Sequence, residues 1–114
     1  MVNTYTVQLA IDLGTTNSTV ALNNKGKIEI IKNAFGDTVT PSVFGIDKSN
    51  NYVVGKRGYE KLFRDASATE EKNYKAEIKR IMGTKETVTF PRIGREMNPD
   101  EISAEIIKSL KSDV

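Results

Sequence analysis

The chain has 114 residues, room for at most one domain, and 17 Lys plus Arg against 15 Asp plus Glu leave a formal net charge of +2. That small excess, carried by dispersed basic residues, gives no electrostatic footprint for a nucleic acid. With no Cys and no His, disulfides, thiolate or imidazole metal sites and a Ser-His-Asp triad drop out, so any chemistry rests on carboxylates, Lys, Arg, hydroxyls and backbone amides.

In chain order, Met1 to Thr6 lacks a basic region followed by an apolar run and is not read as a secretory signal. No apolar stretch approaches the ~20 residues that span a bilayer. A cytoplasmic protein is the default expectation. Val7, Leu9, Ile11 and Leu13 alternate with Gln8, Ala10 and Asp12, which predicts a strand. Gly14 to Asn17 breaks it, Ser18 to Leu22 predicts a second strand, and Asn23-Asn24-Lys25-Gly26 a hairpin turn into a third strand, Lys27 to Ile31. Asn33 to Asp37 reads as loop. Pro41 to Ile46 and Tyr52 to Val54 read as short strands about the turn Asp47 to Asn51.

From Lys56 the period becomes helical, with Tyr59, Leu62, Phe63 and Ala66 as the apolar stripe. Gly58 weakens that helix by up to about 1 kcal/mol relative to Ala. A second helix is predicted over Asn73 to Met82, with Tyr74, Ile78, Ile81 and Met82 on one side and Gly83 as its stop. Glu86 to Phe90 alternates again and can pair with Gly94 to Met97. The last helix has Asn98 as cap, Pro99 at the first position and Glu101 at the third, a capping box. Ile102, Ile106, Ile107 and Leu110 form its buried stripe. That stripe is still in phase at Val114, which leads to the expectation of a piece of a longer chain. Its apolar face is then partly uncovered, and the piece self-associates.

The chemistry-bearing segment is Ile11 to Ser18. A strand delivers Asp12, a hard oxygen donor suited to Mg²⁺. A Gly-led turn then offers the hydroxyls of Thr15 and Thr16 and backbone amides free to face phosphate oxygens. An acid flanked by Ile11 and Leu13 on a buried strand would need a partner or a ligand. The G-x-x-x-x-G-K-[ST] loop is absent. By residues alone, the segment also fits an ordinary turn, and Lys79-Arg80 an ordinary solvated basic face.

Ile11-Asp12-Leu13-Gly14-Thr15-Thr16-Asn17-Ser18 resembles the first phosphate motif of the DnaK family, the seventy-kilodalton heat-shock chaperones. Collinear with it, Asn33 to Asp37, Thr40-Pro41-Ser42, Val54-Gly55-Lys56-Arg57, Ile78 to Gly83 and Glu101 to Ile107 resemble later segments of the same nucleotide-binding domain. The resemblance implies an α/β fold: an actin-like ATPase (ribonuclease H-like) lobe, a mixed sheet with helices and an inserted small α+β subdomain. Subdomain IA would take residues about 1–40 and 98–114, and inserted subdomain IB about 41–97, compact as in Gram-positive DnaK proteins. It implies ATP or ADP with Mg²⁺ as ligands. Gly14, Thr15, Thr16 and Asn17 would lie around the phosphates and Asp12 would hold magnesium. Lys79 would be the catalytic lysine facing the γ-phosphate. Partners of the parent would be unfolded client peptides, a J-domain co-chaperone and a nucleotide exchange factor. The parent would hydrolyse ATP, whereas this piece alone would be inactive. Thr38-Val39 and Gly58-Tyr59 depart from the family pattern. The rival expectations are another actin-like ATPase or a sugar kinase lobe, which share an Asp-x-Gly-Thr-[ST] hairpin, and a non-enzymatic interaction module.

Overall fold

A computed structural model describes residues 8–64 and 70–114. Val7 and Ala66, placed above in a strand and a helix, lie outside the described residues. Three strands open the chain: β1 (Gln8–Leu13), β2 (Asn17–Asn24) and β3 (Lys27–Ile30). They pair antiparallel in the order β1-β2-β3, and the two-residue β4 (Thr40–Pro41) pairs with the start of β2. The β2–β3 turn carries its positive φ angles at Lys25 (53°) and Gly26 (85°), the left-handed pair that matches the twist of a two-residue hairpin. The asparagine contribution is different from a left-handed backbone. The Asn23 side-chain oxygen accepts from the Gly26 amide at 3.1 Å.

A second sheet orders β6 (Tyr52–Val54), β5 (Val43–Ile46) and β7 (Tyr74–Ala76). A separate hairpin joins β8 (Val88–Phe90) to β9 (Arg95–Met97). Every pairing among the described residues is antiparallel. Sheet and helix are combined as expected, but the parallel pairing of a mixed sheet is not found among these strands. Helix α1 (Lys56–Phe63) lies against β5, β6 and β7, and α2 (Pro99–Ser112) against β1, β2, β5 and β6.

The core gathers round α2. Val20, Phe44, Ile46, Ile78, Phe90 and Met97 meet Ile102, Ile106 and Leu110 in one buried cluster. Phe44 stands edge-on to Phe90 with ring centroids 5.3 Å apart. Each such side chain contributes about 1.5–3 kcal/mol by leaving water. The α2 stripe is therefore covered, with Ile107 half-buried, and the expected exposure at this helix does not occur. Exposed apolar groups stand elsewhere, notably Ile28 and Ile30 on β3 and Phe63 on α1. The capping box at Asn98 forms as read. Asn98 Oδ1 accepts from the Glu101 amide at 2.8 Å, and the Glu101 carboxylate accepts from the Asn98 amide.

Two helical readings change. The span Asn73 to Met82 is not one helix: 3₁₀ turns at Glu71–Asn73 and Ile78–Ile81 flank strand β7. Tyr74 to Ala76 pair with Gly45, Phe44 and Val43, which satisfies their backbone in a sheet, and Glu77 takes a left-handed conformation that interrupts any helix. In α1 the Tyr59 and Phe63 rings are exposed, and the buried position is Gly58. A β-carbon at Gly58 would sit 2.8 Å from Val43 Cγ1. This glycine thus lets helix and strand approach closely.

Arg92, which no sequence pattern singled out, ties three regions together. Its Nε donates to the Ile46 carbonyl at 3.0 Å and its amide donates to Asn73 Oδ1 at 2.8 Å. Its guanidinium pairs with Glu70 in a mostly buried contact.

Candidate phosphate-binding hairpin

Alternation along β1 gives the sheet two faces. Leu9, Ile11 and Leu13 pack toward the core with Val20 and Leu22 opposite, while Gln8, Ala10 and Asp12 occupy the other face. Asp12 is paired in register with Thr19 and is exposed. The expectation of an acid on a buried strand, obliged by burial to find a ligand, is corrected: this carboxylate is already solvated.

At the end of β1 the chain reverses through Gly14, Thr15 and Thr16. A β-carbon on Gly14 would lie 2.3 Å from the Asn17 carbonyl oxygen, so any side chain there would force the turn apart. Ser42, between β4 and β5, grips the turn from the protein side. Its Oγ donates to the Gly14 carbonyl at 2.9 Å and lies 2.7 Å from Ser18 Oγ. Its amide donates to the Thr16 carbonyl at 2.9 Å. Both serine side chains are buried, while Thr16 and Asn17 are exposed and Thr15 is half-buried. The sequence named Ser42 within Thr40-Pro41-Ser42 but assigned it no task. The available signal was a hydroxyl residue in an otherwise apolar strand.

Lys79 is exposed and sits on the Ile78–Ile81 3₁₀ turn, not on the α-helix expected for it. Buried Ile78 anchors that turn against α2. Two residues before the lysine, Glu77 (φ 55°) joins Thr15, Thr16, Tyr59 and Phe63 around an open cavity of about 210 Å³. The fold thus brings the turn hydroxyls and the segment leading to Lys79 to one groove. Asp12 and Lys79 are not among its lining residues.

Among the described residues no group of three His, Cys, Asp or Glu side chains could hold a metal ion. A single exposed carboxylate beside hydroxyls and amides does fit Mg²⁺, which keeps most of its waters and is carried by one or two carboxylates together with substrate phosphates. Also among the described residues, no helix is long and apolar enough to cross a membrane.

A family model described as Hsp70 protein matches residues 8–89. The chain is 43% identical over 106 residues to the chaperone protein DnaK of Thermotoga petrophila and to that of Thermotoga maritima, covering 92% of this chain and 17% of each relative. It is 42% identical over 103 residues to the chaperone protein DnaK of Mesomycoplasma hyopneumoniae, covering 90% of this chain and 16% of that relative. It spans about one sixth of the length of these curated relatives. The match runs from the Gly14–Asn17 hairpin through the Lys79 turn, and it places the chain in the Hsp70 family, with the actin-like ATPase fold of that family's nucleotide-binding domain.

Proposed function

We propose that this chain supplies one wall of an ATP–Mg²⁺ site in a DnaK-type chaperone, whose hydrolysis cycle drives binding and release of unfolded client peptides. A J-domain co-chaperone, a nucleotide exchange factor and a cytoplasmic setting belong to the same reading. The observation that carries it is the Gly14–Asn17 turn, built without room for a side chain at Gly14 and tied inward at its Gly14 and Thr16 carbonyls. Such a turn offers amides and hydroxyls to an anion with little reorganisation. Residues about 1–40 and 98–114 act as subdomain IA and about 41–97 as inserted subdomain IB. The second sheet and the β8–β9 hairpin, both contained in the middle span, support that division.

In this reading Gly14, Thr15, Thr16 and Asn17 bind the phosphates. Asp12 accepts hydrogen bonds from magnesium-bound water or ligates directly. The ion, when bound, neutralises phosphate charge. Lys79 turns its ammonium toward the γ-phosphate, where it orients the attacking water and offsets shifting negative charge. The remaining contacts come from outside these residues, so the chain alone binds nucleotide only weakly, with a Kd on the order of millimolar, about −4 kcal/mol. It does not turn ATP over.

The test is Lys79→Ala in the full-length protein, with single-turnover hydrolysis and ATP affinity measured on the same preparation. Hydrolysis falls about 10²–10³-fold, as for loss of one preorganised electrostatic contact, while affinity changes modestly. A rate within about threefold of wild type, under roughly 1 kcal/mol, returns Lys79 to the status of a surface lysine.

A further inference from the structure

Ser42 is not among the residues that line the groove, yet it binds two carbonyls of the turn. Its Oγ has one proton, and the Gly14 carbonyl at 2.9 Å can only accept, so that proton lies on this bond. The 2.7 Å contact between the two serines must then carry the proton of Ser18. The result is a directed chain, Ser18 hydroxyl to Ser42 hydroxyl to Gly14 carbonyl. Ser18 and Ser42 are each 1% exposed. An apolar pair of similar shape could fill that space at little cost to stability, so packing alone does not call for hydroxyls there.

The Ser42 amide adds a second grip, on the Thr16 carbonyl at 2.9 Å. No peptide bond in the described chain is cis. In a trans peptide the N–H points opposite to the C=O of the same unit. With the Gly14 and Thr16 carbonyls drawn onto Ser42, the Thr15 and Asn17 amides are therefore both turned away from it. Two donors are aimed before any ligand arrives.

We infer that Ser42 is a positioning residue for the phosphate groups of the nucleotide, acting through the Gly14 carbonyl to hold the turn amides outward. The inference rests on the reading of the hairpin as a phosphate site. Ser18 supports the same hydroxyl from behind but leaves the Gly14 bond in place when removed. The two serines therefore make a matched pair of deletions.

In the full-length protein, Kd values for ADP and for adenosine are measured on wild type, Ser42→Ala and Ser18→Ala, with a melting curve for each. Expected are an ADP affinity weakened about tenfold or more in Ser42→Ala, on the scale of a charge-assisted bond, an adenosine affinity within about twofold, and both affinities within about threefold in Ser18→Ala. If Ser42→Ala does not fold, Ser42→Cys, a weak donor of similar shape, loses about three- to fivefold for ADP alone. The inference is overturned if ADP and adenosine weaken together, if ADP affinity stays within about threefold, or if Ser18→Ala matches Ser42→Ala. A wild-type protein that binds ADP no better than adenosine overturns the phosphate reading itself, and the role of Ser42 with it.

Discussion

The Gly14–Asn17 turn, whose Thr15 and Thr16 line the groove, and the Ile78–Ile81 turn, which follows the groove residue Glu77, are held in different ways. The first is fixed by polar contacts within a few ångströms: a glycine with no space for a β-carbon, and one serine bound to two carbonyls. The second is closed by bonds within its own segment, from the Arg80 amide to the Glu77 carbonyl at 3.0 Å and from Thr84 Oγ1 to the Ile81 carbonyl at 2.6 Å. It follows a left-handed Glu77, and its one internal ion pair, Arg80 with Glu77 at 3.1 Å, is exposed. What ties it to the core is Ile78, 1% exposed beside α2. In the proposed site, a phosphate cradle needs rigid donors, whereas a lysine that reaches toward a reacting group can ride on a turn anchored from below.

The largest effect should come from removing that anchor. Ile78→Ala is expected to cost about 2–5 kcal/mol, the range for truncating a buried isoleucine, by leaving a void between the turn and α2. Chemical denaturation reads the loss directly, and a cost under about 1 kcal/mol would mean that the turn is held by something other than core packing. Gly14→Ala should come next, at about 1–3 kcal/mol, because the new β-carbon meets a backbone oxygen that cannot rotate aside. Amide exchange should then speed up in the β1–β2 hairpin and stay unchanged around Ile78. Uniform exchange changes across both turns would erase the distinction between local and core support.

The same distinction explains what could be read from the sequence. Strands β1 to β3, the turn at Gly26 and the capping box at Asn98 depend on neighbours within a few residues, and their patterns are explicit. The resemblance also picked out the hairpin residues from Asp12 to Ser18. The segment Asn73 to Met82 was misread because Tyr74, Ile78 and Ile81 satisfy a helical spacing. The choice was made by β5, some thirty residues away, which offers Tyr74 to Ala76 a strand edge. Gly58 looked like a weak helix residue until Val43 was seen against it. Ser42 and Arg92 act through backbone carbonyls that are remote in sequence, and no periodicity encodes such a partner.

A smaller, pH-dependent effect belongs to β7, the strand that leads into the Ile78–Ile81 turn. Burial raises the Tyr74 phenol above its usual pKa of 10.0, with Glu70 adding to the rise. A group whose folded pKa is raised gives its full stabilisation below the unfolded value, and loses it as pH climbs through the folded one. The β7 segment should therefore weaken above about pH 10, and Tyr74→Phe should remove that part of the alkaline loss. The measurement is the difference between wild type and Tyr74→Phe in denaturation free energy at about pH 8 and about pH 11. An unchanged difference across that span would mean that the phenol does not resist ionisation in the fold.

The smallest expected change in stability is at Lys79, the residue proposed to face the γ-phosphate. Lys79 is exposed, and among the described residues no ion pair holds its ammonium. Its backbone carbonyl, not its side chain, accepts the closing bond of the turn from the Met82 amide. Alanine preserves that carbonyl and suits a short helical turn. Lys79→Ala should thus change the free energy of unfolding by no more than about 0.5 kcal/mol, as for a surface substitution away from any cap or core contact. This near-null outcome gives the kinetic test its meaning. With Ile78 still buried and the turn intact, a fall in hydrolysis reports the missing ammonium instead of a displaced backbone. A stability loss above about 1 kcal/mol would show that the lysine side chain helps to hold its own turn, and the contrast between a core-anchored turn and the charge it carries would fail.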